Sequence, residues 1–143
     1  MRGYLTLLFQ VSILLLLTGC STGDAELVAD RFHEKLDAKD YQYIVDNLVD
    51  EEILEDTGEE AWFDLFSFID ETWGTITSRS KDTGFNSSYN NGETSVQLNY
   101  TNLYGDKTVY ERLYLINRDK EYKLTGILVN ESKAGLEEAA ADF

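Results

Sequence analysis

The sequence predicts an α+β domain in which N-terminal helices pack on one face of a curved antiparallel meander sheet. Apolar residues recur at three- and four-residue steps from Ala25 to Trp73, and after Gly74 the period becomes two. The alternating segments are parted by short turn signals with no helical crossover between them, which is how consecutive antiparallel strands are joined.

Taken in order, Ala25, Val28, Phe32 and Leu36 form the stripe of a first helix. Asp40 suits the N-cap of a second, whose stripe is Tyr41, Ile44, Val45 and Leu48. Thr57-Gly58-Glu59-Glu60 has the form of a capping box ahead of a third. Its stripe is Trp62, Leu65, Phe66, Ile69 and Trp73, and Gly74 stands where it should stop. Strand segments follow at 75–81, 84–89, 94–104, 108–116 and 122–129. They are separated by Asn90-Asn91-Gly92, Gly105-Asp106 and residues 117–120. One domain is expected over 25–130. Residues 131–143, rich in Ala and Glu, read either as a frayed helix or as a disordered tail.

Turn chemistry fixes the expected registers. A two-residue turn at Gly105-Asp106 sets Leu98 opposite Leu113, Val96 opposite Leu115 and Tyr100 opposite Glu111. A tight turn at Arg118-Asp119 sets Leu115 opposite Tyr122, Leu113 opposite Leu124 and Glu111 opposite Gly126. The core face then carries Val96, Leu98, Tyr100, Val109, Leu113, Leu115, Leu124 and Leu128, with Glu111 in its middle. A carboxylate there must be paired or protonated. Tyr100 is its expected hydrogen-bond donor, Arg79 its expected cation, and Gly126 leaves room beside it. These four residues are the candidate pocket. Two readings stand: a structural Glu–Arg or Glu–Tyr pair, or a cavity-lining acid of raised pKa. The opposite face, with Gln97, Asn99, Thr101, Tyr110, Arg112, Tyr114, Lys123, Thr125 and Ile127, suits solvent or a sheet-to-sheet homodimer contact.

Composition narrows the function. The formal net charge is −15, which argues against a nucleic-acid partner. Between Asp40 and Ser78 there is no Lys or Arg, and the carboxylates there read as a solvated helical face. Residues 50–60 lack the alternating ligands and central glycine of a calcium loop, so no metal is expected. No cofactor motif occurs, and no catalytic residue is assigned. His33, the only histidine, is expected to lie on the surface of the first helix or half-buried there.

Two resemblances complete the reading. Arg2 precedes an apolar run from Tyr4 to Leu17, shorter than the roughly 20 residues of a spanning helix, and the run closes on Leu17-Thr18-Gly19-Cys20. This segment resembles the lipobox of bacterial lipoproteins. The resemblance implies a signal peptide over 1–19 cut after Gly19, acyl chains on Cys20 and a short tether over 20–24. Ser21 after the cysteine is similar to the sorting signal for the outer membrane of Gram-negative bacteria, with the domain facing the periplasm. Trp73-Gly74-Thr75-Ile76-Thr77-Ser78-Arg79, Val96 to Tyr100, Glu111 before Leu113-Tyr114-Leu115, and Tyr122-Lys123-Leu124-Thr125-Gly126-Ile127 resemble small exported bacterial proteins of unknown function. Those proteins have the nuclear-transport-factor-like cone fold, shared with ketosteroid isomerase and scytalone dehydratase. The resemblance implies a cone lined by Glu111 and Tyr100, while the catalytic residues of those enzymes do not carry over to this chain. The expected function is a membrane-anchored, non-enzymatic lipoprotein that binds a protein partner in the envelope. The alternatives are a module that binds a small apolar ligand in the cone, or an isomerase- or hydratase-type enzyme using Glu111.

Overall fold

Among the described residues nine elements follow in chain order: helices α1 (Thr22–Asp37), α2 (Tyr41–Asn47), α3 (Glu51–Thr57) and α4 (Glu59–Trp73), strands β1 (Ser78–Asn90), β2 (Glu93–Tyr104), β3 (Lys107–Arg118) and β4 (Glu121–Asn130), and helix α5 (Lys133–Ala141). This computed structural model describes residues 22–143, so Gly19 and Cys20 lie outside the described residues. Each apolar stripe read from the sequence falls on a helix, with Leu48 at the C-cap of α2. Ala25, Phe32, Ile44, Val45, Trp62 and Phe66 meet Val96, Leu98, Leu113, Leu115 and Leu124 in one core between helices and sheet.

The local signals explain most helix ends. Asp40 caps α2 by accepting a hydrogen bond from the Tyr43 amide, and Asp50 caps α3 in the same way through Ile53. Gly74, at φ +76°, ends α4 in a backbone conformation that L-residues seldom adopt. The capping box at Thr57 does not form, because Thr57 is the last residue of α3, a helix not foreseen from the sequence. Its hydroxyl donates to the Ile53 carbonyl and accepts from the Trp62 indole at 3.0 Å.

The sheet corrects the expected cone. It is a four-stranded meander in the order β1-β2-β3-β4 that neither curls nor closes. Each strand pairs only with its chain neighbours, which leaves β1 and β4 as two separate edges. The two segments expected at 75–81 and 84–89 are one strand with an irregularity between Lys81 and Phe85. The β4 edge is partly covered at the α2–α3 junction: the Asp50 amide donates to the Leu124 carbonyl and the Leu124 amide to that of Leu48.

The β2–β3 register is as expected, with Leu98 opposite Leu113, Val96 opposite Leu115 and Tyr100 opposite Glu111. The β3–β4 register differs. The turn lies one residue later, on Asp119 and Lys120, both at positive φ, and pairs Arg118 with Glu121. A bulge between Leu124 and Gly126 then leaves Thr125 unpaired, setting Gly126 opposite Tyr114 and Val129 opposite Glu111. One extra residue reverses the facing beyond it. Ile127 is therefore buried in the core, and Leu128 turns to the other side.

Residues 131–143, read from the sequence as a frayed helix or a disordered tail, contain the ordered helix α5. Ser132 caps it by accepting from the Gly135 amide, and its Leu136 is buried. The helix lies against β3 and β4 on the face opposite α1. Arg112 donates to Glu137 through both terminal nitrogens, at 2.6 and 3.3 Å, and Phe143 stacks on Tyr114 with centroids 4.7 Å apart. A side chain at Gly126 would run into the Phe143 ring. The face foreseen as a dimer contact thus carries part of its own chain.

Candidate functional site

Helix α1 packs on the inner face of the sheet and brings a histidine onto the buried carboxylate. His33 Nε2 stands 2.6 Å from Glu111 Oε1, and the two residues are 4% and 1% exposed. His33 is therefore a core residue. It follows Ala29 by one helical turn and precedes Leu36 by three residues, inside the buried arc of α1. The two side chains are each other's hydrogen-bond partner, so the buried carboxyl is satisfied by the ring.

The other candidate pocket residues fall differently. Arg79 reaches the inner face but bonds Asp37 on α1, with Nη1 and Nη2 at 3.0 and 3.1 Å from the two carboxylate oxygens. That fork geometry favours Arg–carboxylate pairs, and it leaves Glu111 to the histidine. Gly126 is across from Tyr114, removed from Glu111 by the bulge. Tyr100 is opposite Glu111, as the register requires, yet its hydroxyl makes no hydrogen bond among the described residues. Its ring instead meets His33 edge-on, with centroids 4.6 Å apart.

Asn102, the register partner of Arg79, adds a second anomaly. It is 0% exposed, and neither its side-chain oxygen nor its nitrogen has a partner among the described residues. Buried polar atoms are nearly always hydrogen-bonded, so adjoining orphans on one sheet face mark a place set apart from the rest of the core. Sequence reading missed both Asn102 and the His33 pairing. The alternation that placed Tyr100 inside also places Asn102 there, and that was the available signal.

An open cleft of about 400 Å³ adjoins the cluster, lined by Asp30, His33, Glu34, Arg79, Lys81 and Tyr100. Its walls are charged: Asp30 and Glu34 from α1, Arg79 and Lys81 from β1. Lys81 pairs with Glu26 at 2.6 Å. Burial, then the charges of Asp30, Glu111 and Glu26, pushes the Tyr100 phenol well above its ordinary range. An apolar hollow of about 190 Å³ lies elsewhere, between α3, α4 and β4, with Trp62, Ile127 and Phe143 in its lining. Among the described residues no group of three or more His, Cys, Asp or Glu could hold a metal ion, and no helix is long and apolar enough to cross a membrane.

Tyr104, farther along the same face, gives a pH test. Burial, with Glu111 nearby, raises its phenol from 10.0 to about 12. The unfolded chain ionises this group first, so its contribution to stability is intact below about pH 10 and is lost as the pH rises through about 12, at about 1.4 kcal/mol per pH unit. Urea midpoints at about pH 9 and about pH 11 should therefore differ in the wild type, and by less in Tyr104→Phe. Equal pH sensitivity in the two proteins would contradict the assignment.

No protein-family model matches the chain, and no curated protein matches it.

Proposed function

We propose that the chain is a lipid-anchored protein of the bacterial envelope, held by acyl chains on Cys20, and that its domain binds a polar group of an envelope partner in the cleft beneath α1. The observation that carries the anchor is Leu17-Thr18-Gly19-Cys20 at the end of a short apolar run, in a chain with no second cysteine. Two or more acyl chains hold a protein stably at a membrane, whereas one binds marginally. On this reading the domain faces the periplasm from the outer membrane. Helix α1 begins at Thr22, and Asp30 is about 12 Å of helix further on, which would keep the cleft near the bilayer.

Binding is favoured over catalysis because the buried acid, 1% exposed, does not reach the lining of the cleft. Glu111 supports His33, which lines the cleft, from within the core. The charged lining favours a polar partner group over the small apolar ligand that a cone would have held.

Metabolic labelling with a clickable fatty acid tests the anchor. The wild-type chain should take up label and yield a mature protein beginning at Cys20, and Cys20→Ala should lose the label completely. An unlabelled wild-type chain, or label that survives in Cys20→Ala, would refute the reading.

A further inference from the structure

The groups around the cleft leave a particular set of hydrogen-bonding needs unmet. On the α1 wall, Asp30 has no hydrogen-bond or ion-pair partner among the described residues, and Glu34 has only Arg31, at 3.6 Å. Asp30 and Glu34 are four residues apart on one helix, a spacing at which like charges repel, so a cation between them relieves that repulsion. Carboxylates on a helix are ordinarily just solvated. Here a second and independent observation joins them: Tyr100 lines the same cleft, is 4% exposed, and keeps a hydroxyl with no partner among the described residues. Beside it Arg79, whose Nη atoms are taken by Asp37, keeps a buried Nε–H with no hydrogen-bond partner. One side of the cleft thus calls for a positive donor, and the Tyr100 hydroxyl and Arg79 Nε–H call for an acceptor.

We propose that the cleft binds a short zwitterion, a free α-amino acid, with its ammonium between Asp30 and Glu34 and its carboxylate on the Tyr100 hydroxyl and the Arg79 Nε–H. A cleft of about 400 Å³ lies within the range of small-molecule sites, about 300–1,000 Å³. The inference rests on the reading that this cleft binds a polar group, and here that group is carried by a free small molecule and not by a protein partner. An ammonium beside an anionic group is also found in the headgroup of phosphatidylethanolamine, so the experiment separates the two sources.

The full chain in detergent is titrated by calorimetry and followed by thermal melting with a panel of free amino acids. Parallel titrations use their N-acetyl and C-amide derivatives and phosphoethanolamine. Members of the panel should bind and raise the melting temperature, and either blocking group should weaken binding at least tenfold. Tyr100→Phe removes only the orphan hydroxyl and Asp30→Asn only a surface charge. Each should fold as the wild type does and bind at least tenfold more weakly. Binding of phosphoethanolamine but of no amino acid would overturn the carboxylate assignment in favour of a lipid headgroup. Equal binding of blocked and free forms, or unchanged binding in both variants, would overturn the zwitterion while leaving a binding cleft. No response to any member of the panel would overturn the proposal outright, whatever the labelling of Cys20 shows.

Discussion

Replacing Glu111 with Leu is expected to destabilise the domain by about 3–5 kcal/mol, the usual consequence of removing one partner from a buried pair. The loss comes from what remains: His33, 4% exposed, keeps an imidazole whose Nε2 has lost its hydrogen-bond partner inside the core. The double variant His33→Leu/Glu111→Leu removes both polar groups, and well-packed apolar replacements of buried pairs are often neutral or stabilising. Its stability should therefore lie nearer the wild type than that of Glu111→Leu. A double-mutant cycle from urea unfolding gives the coupling directly. A cost below about 1 kcal/mol for Glu111→Leu, or strict additivity of the two single changes, would show that the contact does not hold α1 on the sheet.

Asn102→Leu is expected to do the reverse and raise stability by about 1–3 kcal/mol. The amide is 0% exposed and neither of its polar atoms has a partner among the described residues, so it bears a desolvation cost with no hydrogen bond to offset it. Leucine has nearly the same shape and sits beside Val109, its neighbour across the β2–β3 pair. Asn102→Ala is the control, because it removes the orphaned amide but leaves a cavity, and it should gain less. A higher urea midpoint for Asn102→Leu at unchanged slope is the expected reading. A fall of more than about 1 kcal/mol would mean that the amide is satisfied in solution.

The two changes also separate what the sequence disclosed from what it hid. Periodicity placed Phe32, Ile44, Trp62 and Phe66 in the core, and the turn at Gly105-Asp106 fixed Tyr100 opposite Glu111, because both depend on local spacing. Beyond Leu124 the expected pairing failed. A bulge adds one residue to one strand, and the only local sign was Gly126 inside an otherwise regular alternation. The partner of Glu111 was hidden for another reason. His33 and Glu111 are 78 residues apart, and the angle at which α1 crosses the sheet decides whether histidine or Arg79 reaches the carboxylate. Asp37, one turn further along α1, takes the arginine, and this leaves His33 as the acceptor's neighbour. The cone was expected from short shared motifs, which constrain strands locally but not the curl of the whole sheet; the chain supplies four neighbour-paired strands with two edges.

The labelled imidazole of His33 gives the most direct measurement of this account, because the chain has one histidine and its ring signals are unambiguous. Nitrogen and proton NMR of the full chain should show an Nε2 proton that is hydrogen-bonded, shifted strongly downfield and slow to exchange with solvent. That signal should disappear in Glu111→Leu. A ring proton that exchanges at the solvent rate in the wild type, or is unchanged in Glu111→Leu, would contradict the claim that a buried His33–Glu111 pair holds α1 on the sheet beside the cleft.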